Sequence, residues 1–210
     1  MAAERPYLVG LTGSIGMGKT ETSKMFARLG IPVYDSDAAV HRLYEPGGAA
    51  VALIEKEFPG AVRDGRVDRA ALTKILAGRE DAFRKLEAIV HPLVAEDQRR
   101  FMEGARQDRA ELVVQDVPLL FETGGHKRMD AVVVVSAPAD LQRKRVLERP
   151  GMTAEKLDQI LSRQMPDAEK RAKAHFVVET DKGLDHAFEQ VKAIVAALRA
   201  RRRAELERDA

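Results

Sequence analysis

A chain of 210 residues that is 45% hydrophobic and 32% charged has enough apolar material for one buried domain, or one domain with an insertion. Its formal net charge of +2 is too mild to make nucleic acid or a membrane surface the main partner. The absence of cysteine excludes disulfides, thiolate metal sites and a cysteine nucleophile. No basic segment followed by an apolar one opens the sequence, and no apolar run approaches the ~18 residues of a membrane span. The expectation is a soluble, cytoplasmic protein.

In chain order, a β-branched apolar run over 7–11 reads as a buried strand, followed by a glycine loop and a helix over 19–29. A shorter strand is expected over 31–34. From 38 to 107 the pattern carries only helix signals, over 38–44, 49–58, 69–76 and 80–106, with Pro92 predicted to kink the last. Strands over 111–117, 131–136 and 176–179 then alternate with helices over 139–148, 153–163 and 184–203. The alternation predicts an α/β fold with a parallel sheet of about five strands flanked by helices. Residues 1–37 and 108–203 form its core, 38–107 a helical insertion and 204–210 a tail. The basic stretch "RARRRAELERDA" has interspersed signs and reads as a solvated helix end.

Within "LTGSIGMGKT", Gly13, Gly18, Lys19 and Thr20 fit G-x-x-x-x-G-K-[ST], with a strand before and a helix after. Glycines let backbone N–H groups converge on phosphate oxygens, and the helix start points its positive dipole end at the same anion. The lysine reaches the β- and γ-phosphates, and the hydroxyl of Thr20 ligates Mg²⁺. A nucleoside triphosphate is therefore expected on Gly13, Ser14, Ile15, Gly16, Met17, Gly18, Lys19, Thr20 and Glu21.

Three classes of triphosphate user remain: a GTPase switch, a hydrolytic ATPase and a kinase. The chain contains no asparagine, so the usual guanine-reading N-K-x-D is absent. In "VVQDVP" no second acid follows Asp116 to orient a water. Both absences favour a kinase, which must exclude water. "VYDSDAAVH" places Asp35 and Asp37 just past the second strand, where a carboxylate can accept the proton of an acceptor hydroxyl or stand near Mg²⁺. The alternative is that Ser36 or Asp37 caps a helix starting at Ala38. Arg145 and Arg149 lie four apart before the Pro150–Gly151 turn, where a mobile lid over about 143–166 could close on the triphosphate.

Several stretches together resemble the dephospho-coenzyme A kinase family: "LTGSIGMGKT", "LGIPVYDSDAAVHRL", "EPGGAA", "DGRVDRAAL", "LEAIVHPLV", "DVPLLFETG", "LQRKRVLERPGMT" and "ILSRQM". They run in family order over nearly the whole chain. The resemblance implies a P-loop NTPase-type kinase fold with a helical substrate-binding insertion and a lid. It implies ATP-dependent phosphorylation of the ribose 3′-hydroxyl of dephospho-CoA, with Mg²⁺. On that footing Asp37 is the candidate base, with Asp35 the alternative for that role or an organiser of Mg²⁺ through water. Arg69 and Arg145 would neutralise substrate and transferring phosphate, with Arg149 beside them. His91, Leu119, Leu120 and Glu122 would border the acceptor. Two departures stand out. Ser14 occupies a position where the family often has a second glycine. "KAHFVVETDKG" replaces an Ala-Asp and Asn-x-Gly pattern, which bears on the adenine contacts at 180–183. A kinase for another nucleotide or small metabolite, and a non-catalytic nucleotide switch, remain the rival readings.

Overall fold

The computed structural model describes residues 5–209 and divides the chain into two compact units. One takes the chain up to Tyr34 and again from Ala105 onwards; the other is Asp35–Gly104. In chain order the elements begin with β1 (Tyr7–Thr12), α1 (Lys19–Arg28), β2 (Val33–Asp35) and α2 (Ser36–Tyr44). Then come α3 (Val51–Glu57), β3 (Val62–Arg63), β4 (Arg66–Val67), α4 (Arg69–Leu76) and α5 (Glu80–Gln107). The last stretch holds β5 (Leu112–Asp116), a 3₁₀ turn at Gly125–Arg128, β6 (Ala131–Ser136), α6 (Ala139–Leu147) and α7 (Ala154–Leu161). It ends with α8 (Asp167–Lys173), β7 (Phe176–Glu179) and α9 (Leu184–Asp209).

The larger unit is built on a five-stranded parallel sheet in the order β2-β5-β1-β6-β7. Tyr7 sits opposite Leu112, Val9 opposite Ala131, and Val133 opposite Phe176. Helices cover both faces, which is why the strands read as continuous apolar runs rather than alternating ones. Val9, Leu11, Val114, Val133 and Val135 pack with Met25 and Phe26 of α1 and with Val191, Val195 and Leu198 of α9. Val132 and Val134 point the other way, onto Leu120 and Phe121. The first strand is pinned at its start. Asp130 accepts two hydrogen bonds from Arg5, at 2.7 and 2.8 Å, and one from the Leu8 amide at 2.7 Å. Burial pushes this carboxyl up, but those donors outweigh it and hold it below the ordinary range. Because the chain leaves the central β1 first to one side and later to the other, the carboxyl end of β1 lies at the switch point where such sheets bind ligands.

The smaller unit has its own core of Tyr44, Ile54, Phe58, Val67, Leu72 and Val90. The helix-only expectation for 38–107 is corrected here by the antiparallel pair β3–β4. Its connection is Asp64–Gly65, both left-handed with φ of 51° and 73°, as an Asp-Gly hairpin turn demands. Strands of two residues are too short to show a period, so only the Asp-Gly pair signals them. The sequence expectations also lacked α8 and ended α9 too early: the helix runs on through the acidic and basic residues to Asp209. Pro92 lies inside one helix, α5, where it deprives the Ala88 carbonyl of its usual donor.

Candidate active site

The glycine loop follows β1 directly. Gly16 and Gly18 have φ of +79° and +95°, a region side chains rarely adopt. A Cβ on Gly13 would lie 2.6 Å from the Val135 carbonyl oxygen, and one on Gly16 would lie 2.5 Å from Val146 Cγ2. The loop is therefore folded flat against β6 and α6 in a shape only glycine permits. Ser14 is buried, and its carbonyl accepts from the Met17 amide at 3.2 Å. Met17 is buried too, and its sulfur accepts a hydrogen bond from the Ala137 amide at 3.1 Å. The first helical bond of α1 runs from Thr22 N–H to Gly18 C=O, at 3.1 Å. The N–H groups of Lys19, Thr20 and Glu21 precede it and have no intrahelical acceptor, which makes this end an anion site.

Lys19 pairs through Nζ with Asp116 Oδ1 at the carboxyl end of β5, on a carboxylate side chain only 3% exposed. Sequence reasoning noted Asp116 for the acid missing after it and gave it no role of its own. An acid closing an apolar strand beside a glycine loop is the signal it carried. Thr20 is exposed, and Glu21 pairs with Lys24 at 2.7 Å.

Beside the loop opens a cavity of about 310 Å³, lined by Gly16, Gly18, Met25, Arg145, Thr180 and Ala187, with Arg149, Glu21 and Leu184 among its other walls. Arg145 donates through Nη1 to Thr180 Oγ1 at 2.9 Å and through Nη2 to the Thr180 carbonyl at 2.6 Å. Thr180 in turn donates to the Met17 carbonyl at 2.8 Å. Arg145, expected to face a transferring phosphate, is thus held by the segment after β7 in this structure. Thr180 was missed as a partner; it occupies the stretch where the sequence departs from the family's asparagine pattern.

The segment after β5 is partly buried. Leu119 is exposed, but Leu120 has no exposed surface and lies beneath Gly10, where an added Cβ would come within 2.6 Å of its Cδ2. Leu120, expected to border the acceptor, has its side chain in the core. Glu122 Oε1 accepts from the Met165 amide at 2.7 Å and lies 2.9 Å from Nζ of Lys170, a fully buried lysine. Burial pushes the Glu122 carboxyl up, but Lys170 and the Met165 amide outweigh it and leave it below its ordinary value.

In the smaller unit, Asp37, Val40, Tyr44, Arg69, Leu72 and Leu86 line a groove of about 470 Å³. Arg69 lies over the Tyr44 ring, 5.6 Å from its centroid. Burial raises the Tyr44 phenol above its usual value, and Arg69 pulls partly against that. Asp68 caps α4, accepting from the amides of Ala70 and Ala71 at 3.0 Å each. Asp35 caps α2, accepting from the Ala38 amide at 3.0 Å, and the helix starts at Ser36. This corrects the alternative in which Ser36 or Asp37 was the cap, and it leaves Asp37 exposed on the groove. His91 is exposed on α5.

Among the described residues no cluster of three or more His, Cys, Asp or Glu side chains is placed to hold a metal ion. No helix of the described residues is long and apolar enough to cross a membrane.

A parallel sheet with this glycine loop at the carboxyl end of its central strand, a helix behind it and a lysine at its mouth is that of a P-loop nucleoside-triphosphate-binding protein. The family model for dephospho-CoA kinase matches residues 7–186. A dephospho-CoA kinase of Rhodopseudomonas palustris (strain HaA2) is 54% identical over 197 residues, covering 93% of this chain and 98% of the relative. One from Mesorhizobium japonicum is 54% identical over 195 residues, with the same two coverages of 93% and 98%. Among solved structures, TT1252 from Thermus thermophilus superimposes with a TM-score of 0.76 at 35% identity, covering 93% of this chain and 99% of that one. The chain belongs to the dephospho-CoA kinase family, whose reaction is the final step of coenzyme A biosynthesis.

Proposed function

We propose that the protein transfers the γ-phosphoryl group of ATP, with Mg²⁺, to the ribose 3′-hydroxyl of dephospho-CoA in the cytoplasm. The observation that carries the donor side is the junction of loop and helix: orphan N–H groups at the start of α1, Lys19 at its first position, and an adjoining cavity large enough for a purine. The polyphosphate would lie along Gly13–Lys19, and the adenine would occupy the cavity between Met25, Ala187 and the Arg145–Thr180 pair. The mixture of apolar floor and guanidinium edge suits a flat heteroaromatic ring.

Mg²⁺ commonly keeps several waters and needs only one or two protein ligands beside the phosphates. The absence of a carboxylate cluster among the described residues is compatible with that habit. In this reading the exposed Thr20 hydroxyl would hold the ion, and the Asp116 carboxylate would help to place it. The ion, when bound, offsets charge on the phosphates.

For the acceptor, the groove with Asp37 and Arg69 offers both a base and a cation. Asp37 is exposed and is not spent on a cap, so it is the carboxylate to accept the 3′-hydroxyl proton. Asp35 is committed to the Ala38 amide and serves to start α2. Arg69, held against Tyr44, would meet the substrate's phosphates. Arg145 and Arg149, on or next to the helix after β6, would close over the donor and exclude water. Catalysis would be mostly positioning and charge stabilisation.

Incubation with Mg-ATP and a panel of dephospho-CoA, nucleoside monophosphates and no acceptor tests the whole reading. Phosphate transfer to dephospho-CoA alone is the expected result. Hydrolysis without acceptor, or transfer to a monophosphate in preference, would overturn it.

A further inference from the structure

The glycine loop is not held only by its own backbone. Ile15 donates its N–H to Gln164 Oε1 at 3.2 Å, and Gln142 Nε2 donates to the Ile15 carbonyl at 2.7 Å. Those two atoms belong to the peptide groups on either side of one residue, so both planes are fixed at once. Gln142 is a buried amide in α6, only 6% exposed, and a buried amide without partners is costly. It can approach because Gly16 has no side chain: a Cβ there would sit 3.0 Å from the Gln142 carbonyl oxygen and 3.4 Å from its Cγ. Gln164 comes from a different place, the short segment between α7 and α8. The N–H groups that open α1 lie beyond this grip and remain directed by the helix.

We propose that Gln142 and Gln164 are positioning residues of the phosphate loop. By gripping Ile15 at its N–H and its C=O, they keep the loop in its phosphate-receiving shape before nucleotide arrives. Gln164 also ties that shape to the segment that follows α7. A loop already shaped for its anion loses less conformational freedom on binding, so its effect belongs to the polyphosphate part of the nucleotide and not to the base. The proposal rests on residues 13–20 being the ATP phosphate loop.

The test compares the parent with Gln164→Met, Gln142→Met and the double variant. Methionine keeps the length of the side chain and removes its amide. Binding of ATP is measured by calorimetry and of adenosine by NMR titration, alongside steady-state kinetics and melting curves. Each single change should weaken ATP, and raise its KM, by about fivefold, the worth of one ordinary hydrogen bond. Adenosine affinity, KM for dephospho-CoA and kcat should stay within about twofold, since none of them depends on how the polyphosphate is first received. The double variant should lose less than the product of the two singles, because both act through Ile15. Equal loss of ATP and adenosine binding, singles that multiply, or unchanged ATP binding would each overturn the proposal. If Gln142→Met fails to fold, Gln164→Met alone decides, because its side chain is only partly buried. A parent protein that binds no ATP would instead remove the phosphate-loop reading on which the proposal stands.

Discussion

Lys19, the first residue of α1, forms an ion pair with Asp116, the last residue of β5. The lysine that P-loop kinases direct at phosphate is therefore paired with a nearly buried carboxylate. Incoming phosphate and its cation would share the two partners, the lysine turning to the anion and the carboxylate to the cation's waters. Lys19→Ala is expected to lower kcat/KM for ATP by about 10²–10³, the usual cost of removing one preorganised charge. Thr20→Ala should raise the Mg²⁺ concentration needed for half-maximal rate. Steady-state kinetics at several Mg²⁺ concentrations measure both. If the two variants turned over like the parent, the loop would be a structural turn.

Asp37→Asn removes the proposed proton acceptor while keeping shape and the groove's volume. We expect kcat to fall by about 10²–10⁴, with ATP binding unchanged by calorimetry. Asp35→Asn, by contrast, keeps an oxygen that can accept the Ala38 amide, so its effect should be small. Near-normal turnover in the Asp37 variant would remove it as the base, and a collapse confined to the Asp35 variant would exchange the two roles.

Lys170 has no exposed surface, and its charge faces Glu122. Cutting one partner from a buried pair costs more than removing both, because a bare charge is left behind. Lys170→Met should therefore lower unfolding free energy by about 3–5 kcal/mol, and the double change with Glu122→Gln should recover part of that loss. Urea titrations of the single and double variants measure it. A double variant less stable than Lys170→Met would show that the pair is worth its burial.

His175 accepts a hydrogen bond from the Val132 amide through Nδ1, at 3.0 Å. That atom can accept only while unprotonated. Partial burial and nearby Arg201 push the imidazole below its ordinary value. A histidine with a lowered folded value binds more protons when unfolded, so its contribution to stability is present above about pH 6.5, the unfolded value. It is lost as the pH falls from there towards the folded value. Melting temperatures from pH 7.5 to 5 should fall more steeply for the parent than for His175→Gln. Parallel curves would show that the imidazole carries no such linkage.

The glycine loop was legible because everything that defines it is local. Four constrained positions in eight residues, a strand before and a helix after all lie within one short stretch. The parallel sheet was legible for a related reason: strands covered on both faces leave unbroken β-branched runs, and 131–136 and 176–179 fall where the sequence put them. What escaped was either too short or too distant. The pair β3–β4 has two residues a strand, and α8 has seven, with a lysine at its one buried position. The burial of Leu120 depends on Gly10, and the pairing of Glu122 depends on Lys170, partners that only the folded chain brings together. Asp35 and Asp37 were both recognised, but which of them capped a helix depended on where α2 began, a matter of one hydrogen bond.

The place of β1 in the sheet also sets an order of events during synthesis. Its two neighbours begin at Leu112 and Ala131, and Gly13 needs Val135 behind it. By the time the first of these leaves the ribosome, all of Asp35–Gly104 has been made, with a core of its own to bury. The growing chain therefore carries the phosphate loop on a strand with both edges unpaired, awaiting partners half the chain away or further. Contacts of such long reach form slowly. The residues most recognisable in the sequence are thus among the last to acquire their shape, and a ribosome stalled before β6 would hold a chain without a nucleotide site.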